Sequence, residues 1–483
     1  MGIVFKQSLK NTITIYSAFV FGGINALFLY TSFLNDTYYG LVVFLLSTSN
    51  LLMPFTAFGV QYTILKFYSA YTSKVEKDRF LSTVILAPLF IAIPMGFVGS
   101  LFYESISNYL SLKNPIVKNY TFVIYLVAIA TAYFEVFYAW AKVQMQSVYG
   151  NILKELFPRI SAMFFLFLVF LEVISASGFI YYLTAAYFLR TFLMLLYALR
   201  LYTPKFSIGI PNNFKEILRY SGYIILAGAA GSILIDIDKF MIPQKEAIAY
   251  AAYYAVAVYI GSVVETPGRA MSQIVQPLIA KALNENQLDE VQSLYKKSAI
   301  NLLVISGLVF LLINLNINQM YLLLPEKYSG GVWVVLFISL AKLYQMFLGA
   351  NGAIISNSKY YRILLPYGIS MAVSVYFLND YLIDLMSIEG AALSTFIVVY
   401  TFNTFKLAYV KNKFNMTPFT NKTGVLVLIL ILSYFSFCFW DFNFHPILNI
   451  LFKSILIVAV YFFSVWKLKI SDEIISIVTK MIK

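Results

Sequence analysis

Arg190 interrupts an apolar run at Tyr187-Phe188-Leu189-Arg190-Thr191, and Lys342 interrupts another, close to Gln345 and Asn351. Glu135 lies toward one end of a third run. An ionisable side chain within hydrocarbon is costly, so it marks a functional site unless its charge escapes to the interface. Snorkelling is hard for these three, which points to an internal polar cavity. Arg269, Lys66 and Lys239 lie nearer the ends of their runs, from which a long stem reaches water. Asp236 and Lys239 are spaced for a local i, i+3 pair, and Glu265 and Arg269 for an i, i+4 pair. Several cations and few anions at mid-depth suit an anionic substrate such as a phosphate or pyrophosphate, held by charge-assisted hydrogen bonds.

The carboxylates suggest a second role. Within its own helix Glu135 has no basic residue one turn away, at 131, 132, 138 or 139, whereas Asp236 has Lys239 three residues on. Glu135 is therefore expected ahead of Asp236 as the group that exchanges a coupling proton. Pro54, Pro88, Pro94, Pro158, Pro267 and Pro366 fall within or beside the apolar runs, where a lost backbone bond bends a helix. Gly22-Gly23-Ile24-Asn25 and Gly349-Ala350-Asn351-Gly352 place small residues next to an amide, which suits close packing or a hinge.

The elements that must carry these residues are membrane spans. The chain is 60% hydrophobic and 12% charged over 483 residues. Fourteen apolar stretches of about 17–25 residues are long enough for a bilayer core of roughly 30 Å. They start near Asn11, Leu41, Leu81, Phe122, Phe157, Phe179, Ser221, Ile248, Ile300, Val332, Ile363, Ala391, Val425 and Ile447. Basic residues concentrate in alternate gaps. On the sparse side fall Lys113, Lys118, Lys239, Lys245, Lys327 and Lys453 out of 35 basic residues. The positive-inside rule then predicts a polytopic protein of a bacterial cytoplasmic membrane with both termini cytoplasmic. The net charge of +13 is a topology signal, and its dispersal among loops speaks against nucleic acid.

One cysteine (Cys438) and one histidine (His445) exclude a disulfide framework, a Cys/His metal site and a histidine-based triad. His445, beside Pro446, reads as structural. No nucleotide-binding loop is present, so no cofactor or direct use of ATP is expected. The loops are short, the largest being 66–80, 202–219 and 269–297, with 103–118 on the opposite side. An enzyme working at the outer face usually carries a larger loop, so the chain is expected not to be one. Two segments carry an apolar helical stripe, 287–297 and the tail 471–483, and both are expected to lie on the inner leaflet among membrane lipids.

The halves show weak internal similarity. Tyr16-Ser17 and Tyr220-Ser221 open the first and seventh spans, small residues follow each, and Tyr38-Tyr39 with Pro54 is matched by Tyr253-Tyr254 with Pro267. The fold class expected is all-α: two six-helix lobes in a parallel-topology pseudo-repeat, plus two C-terminal helices. Residues 1–201 form the first lobe, 202–415 the second, and 416–483 the appended pair with the amphipathic tail.

The stretches FGGINALFL from Phe21, YYGLVVFLLS from Tyr38, AFGVQYTILKFY from Ala57, IDIDKFMI from Ile235, ETPGRAMSQIVQPLIAKAL from Glu265 and EGAALST from Glu389 carry a resemblance along essentially the whole chain. It resembles the polysaccharide-transporter branch of the multidrug/oligosaccharidyl-lipid/polysaccharide exporter superfamily, the O-antigen and related lipid-linked oligosaccharide flippases. The resemblance implies two lobes about a central cavity, alternating access, and movement of an undecaprenyl-pyrophosphate-linked glycan from inner to outer leaflet. It implies that the first two helices of each lobe line the cavity, which brings in Asn25, Asp236, Glu265 and Arg269. The chain departs from the pattern in Asp238 and Lys239 directly after Asp236, which puts the role of Asp236 in doubt.

The expected function is therefore ion-coupled flipping of that lipid-linked oligosaccharide for surface polysaccharide or lipopolysaccharide O-antigen synthesis. Arg190, Lys342, Arg269 and Asn25 are expected at the substrate, and Glu135, Asp236 and Glu265 at a coupling H+ or Na+. A glycan polymerase and glycosyltransferases are the expected protein partners. The alternatives are a Na+- or H+-coupled multidrug exporter of the same fold, a membrane-embedded glycan polymerase or ligase, and a non-transporting scaffold of glycan assembly.

Overall fold

Hydrocarbon offers a backbone no hydrogen-bond partner, so a chain this apolar must satisfy its amides within helices or a closed barrel. The computed structural model describes residues 3–205, 211, 213–471 and 473, and among these every regular element is helical. We label the spans α1 (Lys10–Phe33), α2 (Asp36–Ala57), α3 (Lys74–Leu101), α4 (Thr121–Val143), α5 (Phe157–Phe170), α6 (Ala176–Leu201) and α7 (Phe214–Lys245). Next comes α8, which is Ala249–Ser262 continued after a turn by Thr266–Asn284. The remainder are α9 (Leu288–Tyr321), α10 (Val332–Phe347), α11 and α12 (the two parts of Leu364–Phe414), α13 (Asn421–Phe437) and α14 (Pro446–Lys467).

Nine helices among the described residues are long and apolar enough to cross a membrane on that criterion alone. One of them, Tyr361–Phe414, folds back at Ser387 and so supplies two spans. With α5, α7, the broken α8 and the shorter α13, the total is the fourteen expected.

Local chemistry sets many of the ends. The Asn35 side chain accepts from the Tyr38 amide at 2.8 Å, Ser73 from that of Glu76 at 3.2 Å, and Ser175 from that of Gly178 at 3.1 Å. Each caps the start of α2, α3 or α6 by occupying an otherwise orphaned amide. Thr420 and Thr423 form a reciprocal capping box on α13, and His445 caps α14 through Nδ1, which is its structural role. The helix of α2 stops because Phe58 and Gly59 are both left-handed (φ 51° and 64°); it resumes at Val60–Phe67. At Ser387 a single residue at φ 50°, ψ −130° reverses the chain between α11 and α12.

The chain divides into two compact units, Met1–Ala255 with Gly368–Asp380, and Val256–Tyr367 with Tyr381–Lys483. The first is organised about α4. Phe134, Phe137 and Trp140 pack with Ile64, Phe80, Leu81 and Met194, and Thr191 on α6 donates to the Ala130 carbonyl at 2.7 Å. The second is organised about α9. Asn314 bonds Ser339 on α10, Tyr461 on α14 donates to the Val304 carbonyl, and a side chain at Gly307 would collide with Leu430 on α13. In α4 and α9, 61% of the apolar stretch is buried, against 17% in α3, so α4 and α9 are central and α3 is peripheral.

One expectation is corrected. Residues 287–297 are not a separate helix lying on the leaflet. From Leu288 they open α9 without a break, and Val291 and Tyr295 of the stripe pack inward against Ile279, Ile354 and Ile355 while Leu288 stays exposed. A stripe that reads as lipid-facing is satisfied equally by protein. The amphipathic tail falls largely outside the described residues, as do positions 206–210 and 212 of the 202–219 loop.

Candidate functional site

In the first unit, Glu135 projects from α4 among three cations. Lys154, on a π-helical turn (Ile152–Leu156) just ahead of α5, places Nζ 2.6 Å from Glu135 Oε1. Lys142 and Arg190 also act on this carboxylate electrostatically. Arg190 on α6 is 5% exposed. Its guanidinium lies 4.3 Å from the Phe134 ring centre and 4.5 Å from that of Tyr187, and Nη2 donates to Thr131 at 3.3 Å. Its Nε has no hydrogen-bond partner among the described residues. A planar cation between two rings is held by their quadrupoles as well as by hydrogen bonds.

Asp236 on α7 acts electrostatically on Tyr187, the residue whose ring Arg190 lies over. Its Oδ1 accepts from Lys239 at 3.0 Å and its Oδ2 from Asn50 on α2 at 3.1 Å. Asp238, two residues on and therefore on the opposite side of α7, accepts from Tyr254 and from Asn379 at 2.7 Å. Asn25 lies in a π-helical turn of α1 and donates to the Arg159 carbonyl at 2.7 Å, tying α1 to α5, while its own Oδ1 is buried without a partner.

In the second unit, Glu265 occupies the turn that breaks α8 and is shared by two cations. Arg269 one turn on binds Oε1, with Nε at 2.9 Å, and Lys342 from α10 binds Oε2 with Nζ at 2.5 Å. The break puts the carboxylate at the end of one helical segment and the start of the next, where α10 can meet it.

Both clusters carry more positive than negative charge. This is a set of anion-attracting groups inside apolar helices. The second has Glu265 as its carboxylate; the first has Glu135 and also Glu155, which pairs with Arg159 at 3.2 Å and acts on Lys154 and Arg190. No cluster of His, Cys, Asp and Glu able to hold a metal is found among the described residues.

Residues 8–283, more than half of the chain, match the family described as polysaccharide biosynthesis protein. The chain belongs to that family. Its fold is that of the lipid II flippase MurJ in an inward closed conformation, at a TM-score of 0.74 and 15% identity over 95% of this chain and 99% of that one. A multidrug resistance MATE family transporter of the MOP superfamily, inward-facing, is similar at a TM-score of 0.61 and 12% identity, over 84% and 98%. A MOP superfamily transporter from Pyrococcus furiosus with reverse polarity of its binding pocket is similar at 0.54 and 11%, over 86% and 95%. No curated protein matches the family member in sequence.

Of the residues singled out from sequence, Glu135 and Arg190 come together in one unit, and Glu265, Arg269 and Lys342 in the other. Asp236 bonds Lys239 and Asn50, and Asn25 bonds the Arg159 carbonyl, so neither touches Glu135 directly among the described residues. The ranking of Glu135 ahead of Asp236 considered cations on its own helix alone, and the structure adds one from outside it. Lys154 comes from the next segment, so Glu135 and Asp236 each have a lysine and the ranking between them lapses. Lys154, Lys142 and Asn50 were not foreseen. The signal was weak, because Lys142 and Lys154 look like ordinary basic residues flanking spans.

Proposed function

We propose that this protein is a flippase that carries an undecaprenyl-pyrophosphate-linked oligosaccharide from the inner to the outer leaflet of a bacterial cytoplasmic membrane. The headgroup crosses through protein while the polyprenyl tail stays in lipid. The observation that carries this reading is the cation excess of the intramembrane clusters. Glu135 is paired with Lys154 and acted on by Lys142 and Arg190, Glu155 beside them is paired with Arg159, and Glu265 is held by Arg269 and Lys342. Pyrophosphate complements such groups, whereas a cationic drug would need the opposite balance. Membership of a polysaccharide biosynthesis family supports a glycan cargo.

In this reading Arg190, Lys342, Arg269 and Asn25 contact the substrate. Glu135, Asp236 and Glu265 are the carboxylates whose partners change between states, coupling H+ or Na+ to the transition. The lobes of the cycle are residues 1–201 and 202–415, with 416–483 appended, both termini cytoplasmic, and glycosyltransferases and a polymerase acting before and after it.

The test is reconstitution into vesicles with a fluorescent pyrophosphate-linked oligosaccharide in the inner leaflet. Protein-dependent appearance of the label at an outside quencher is expected. Vesicles that accumulate or extrude a cationic dye and leave the glycolipid unmoved would overturn the reading.

A further inference from the structure

The second unit contains a cavity of about 320 Å³ walled by α8, α9, α10, the helix Asn351–Ser356 and α12. Its lining includes Ser272, Gln345, Asn351, Gly352, Asn403 and Lys406 and, among the described residues, no carboxylate. Lys406 has no ion pair or hydrogen bond among the described residues. The Asn351 side chain accepts from Tyr295 at 3.0 Å, yet its amide nitrogen is buried with no partner. Gln345 is exposed and makes no hydrogen bond among the described residues. A buried donor left unpaired costs free energy unless a ligand or water completes it.

The lining thus offers one uncommitted ammonium and two uncommitted amides, beside apolar walls from Met271, Leu302 and Met346. Lysine binds phosphate as a point charge, with amide donors completing the oxygen shell. The volume is at the small end of ligand pockets, roughly 300 Å³ and upward, enough for a phosphorylated headgroup.

We propose that this cavity is a binding site for a phosphate-bearing anion, with Lys406 as its charge partner and Asn351 and Gln345 as donors. The anion is either free phosphate or the headgroup of an anionic phospholipid. The inference does not rest on the transport reading, because neither ligand is the transported glycolipid.

The full-length protein in neutral detergent is titrated with inorganic phosphate, and separately with short-chain phosphatidylglycerol read by native mass spectrometry. Two variants probe the site independently. Lys406→Met removes the charge. Gly352→Leu fills the space, since a Cβ at Gly352 meets no atom within 4 Å. Affinity for at least one ligand is expected to fall about tenfold in both variants, the scale of one charge-assisted contact, and to survive in Lys406→Arg. Loss of phosphate binding assigns a free anion, and loss of phosphatidylglycerol binding alone assigns a lipid headgroup. Failure of the wild type to bind either, or binding unchanged in Gly352→Leu, overturns the proposal and leaves Lys406 as a stem reaching the interface.

Discussion

Lys154, from the turn that leads into α5, sits 2.6 Å from Glu135 on α4 and joins two segments whose sequences give no hint of the contact. Breaking a partly buried pair from one side leaves the other charge desolvated. Lys154→Met and Glu135→Gln should each lower thermal stability in detergent, and the double variant should recover part of the loss. A coupling energy of about 1 kcal/mol or more is expected from the cycle. Strictly additive losses would mean that the pair contributes nothing.

Glu265 has two partners, so the loss of one still leaves it paired. Lys342→Ala and Arg269→Ala are expected to insert normally and to slow glycolipid flipping about tenfold each, the scale of one lost charged hydrogen bond. The double variant strands the carboxylate and should fall in membrane yield. Adding Glu265→Gln should restore yield but not transport. Normal flipping in both single variants would remove these residues from the substrate path.

Arg190 depends on a flat cation. Arg190→Lys keeps the charge but loses the stacking between Phe134 and Tyr187, and should cost about 1–2 kcal/mol of stability. Phe134→Leu should cost a similar amount, and the two together less than their sum. A thermal unfolding series in detergent measures this directly.

A Cβ at Gly390 would overlap the Leu382 carbonyl across the α11–α12 reversal, whereas one at Gly424 would meet nothing. Gly390→Ala should therefore cost roughly 3 kcal/mol and Gly424→Ala almost nothing. Fluorescence-detected chromatography of the two variants provides the comparison.

Orientation has its own test. Reporter fusions after Lys113 and after Lys483 should read outside and inside respectively. The same side for both would refute the proposed topology.

The spans were legible because lipid imposes a long apolar run on every crossing, and the run is written in consecutive residues. The pairs at Glu265–Arg269 and Asp236–Lys239 were legible for the same reason, since helical spacing alone brings them together. Lys154 on Glu135, Lys342 on Glu265 and Asn50 on Asp236 were not, because each partner comes from another helix whose rotation depends on packing. The stripe at 287–297 misled for the converse reason. Its pattern reports a buried face, and a neighbouring helix buries it as well as lipid does.

The reversal at Ser387 has a further consequence, for biosynthesis. Tyr361–Phe414 is one helical run of 54 residues interrupted by a single non-helical position. A tip this short cannot wait as a tether while one crossing partitions alone. Asp380, Asp384 and Glu389 flank it and would have to be dragged through hydrocarbon if the run were threaded straight. The two crossings are thus expected to leave the insertion machinery together as a preformed hairpin, committed as a pair once the second has emerged.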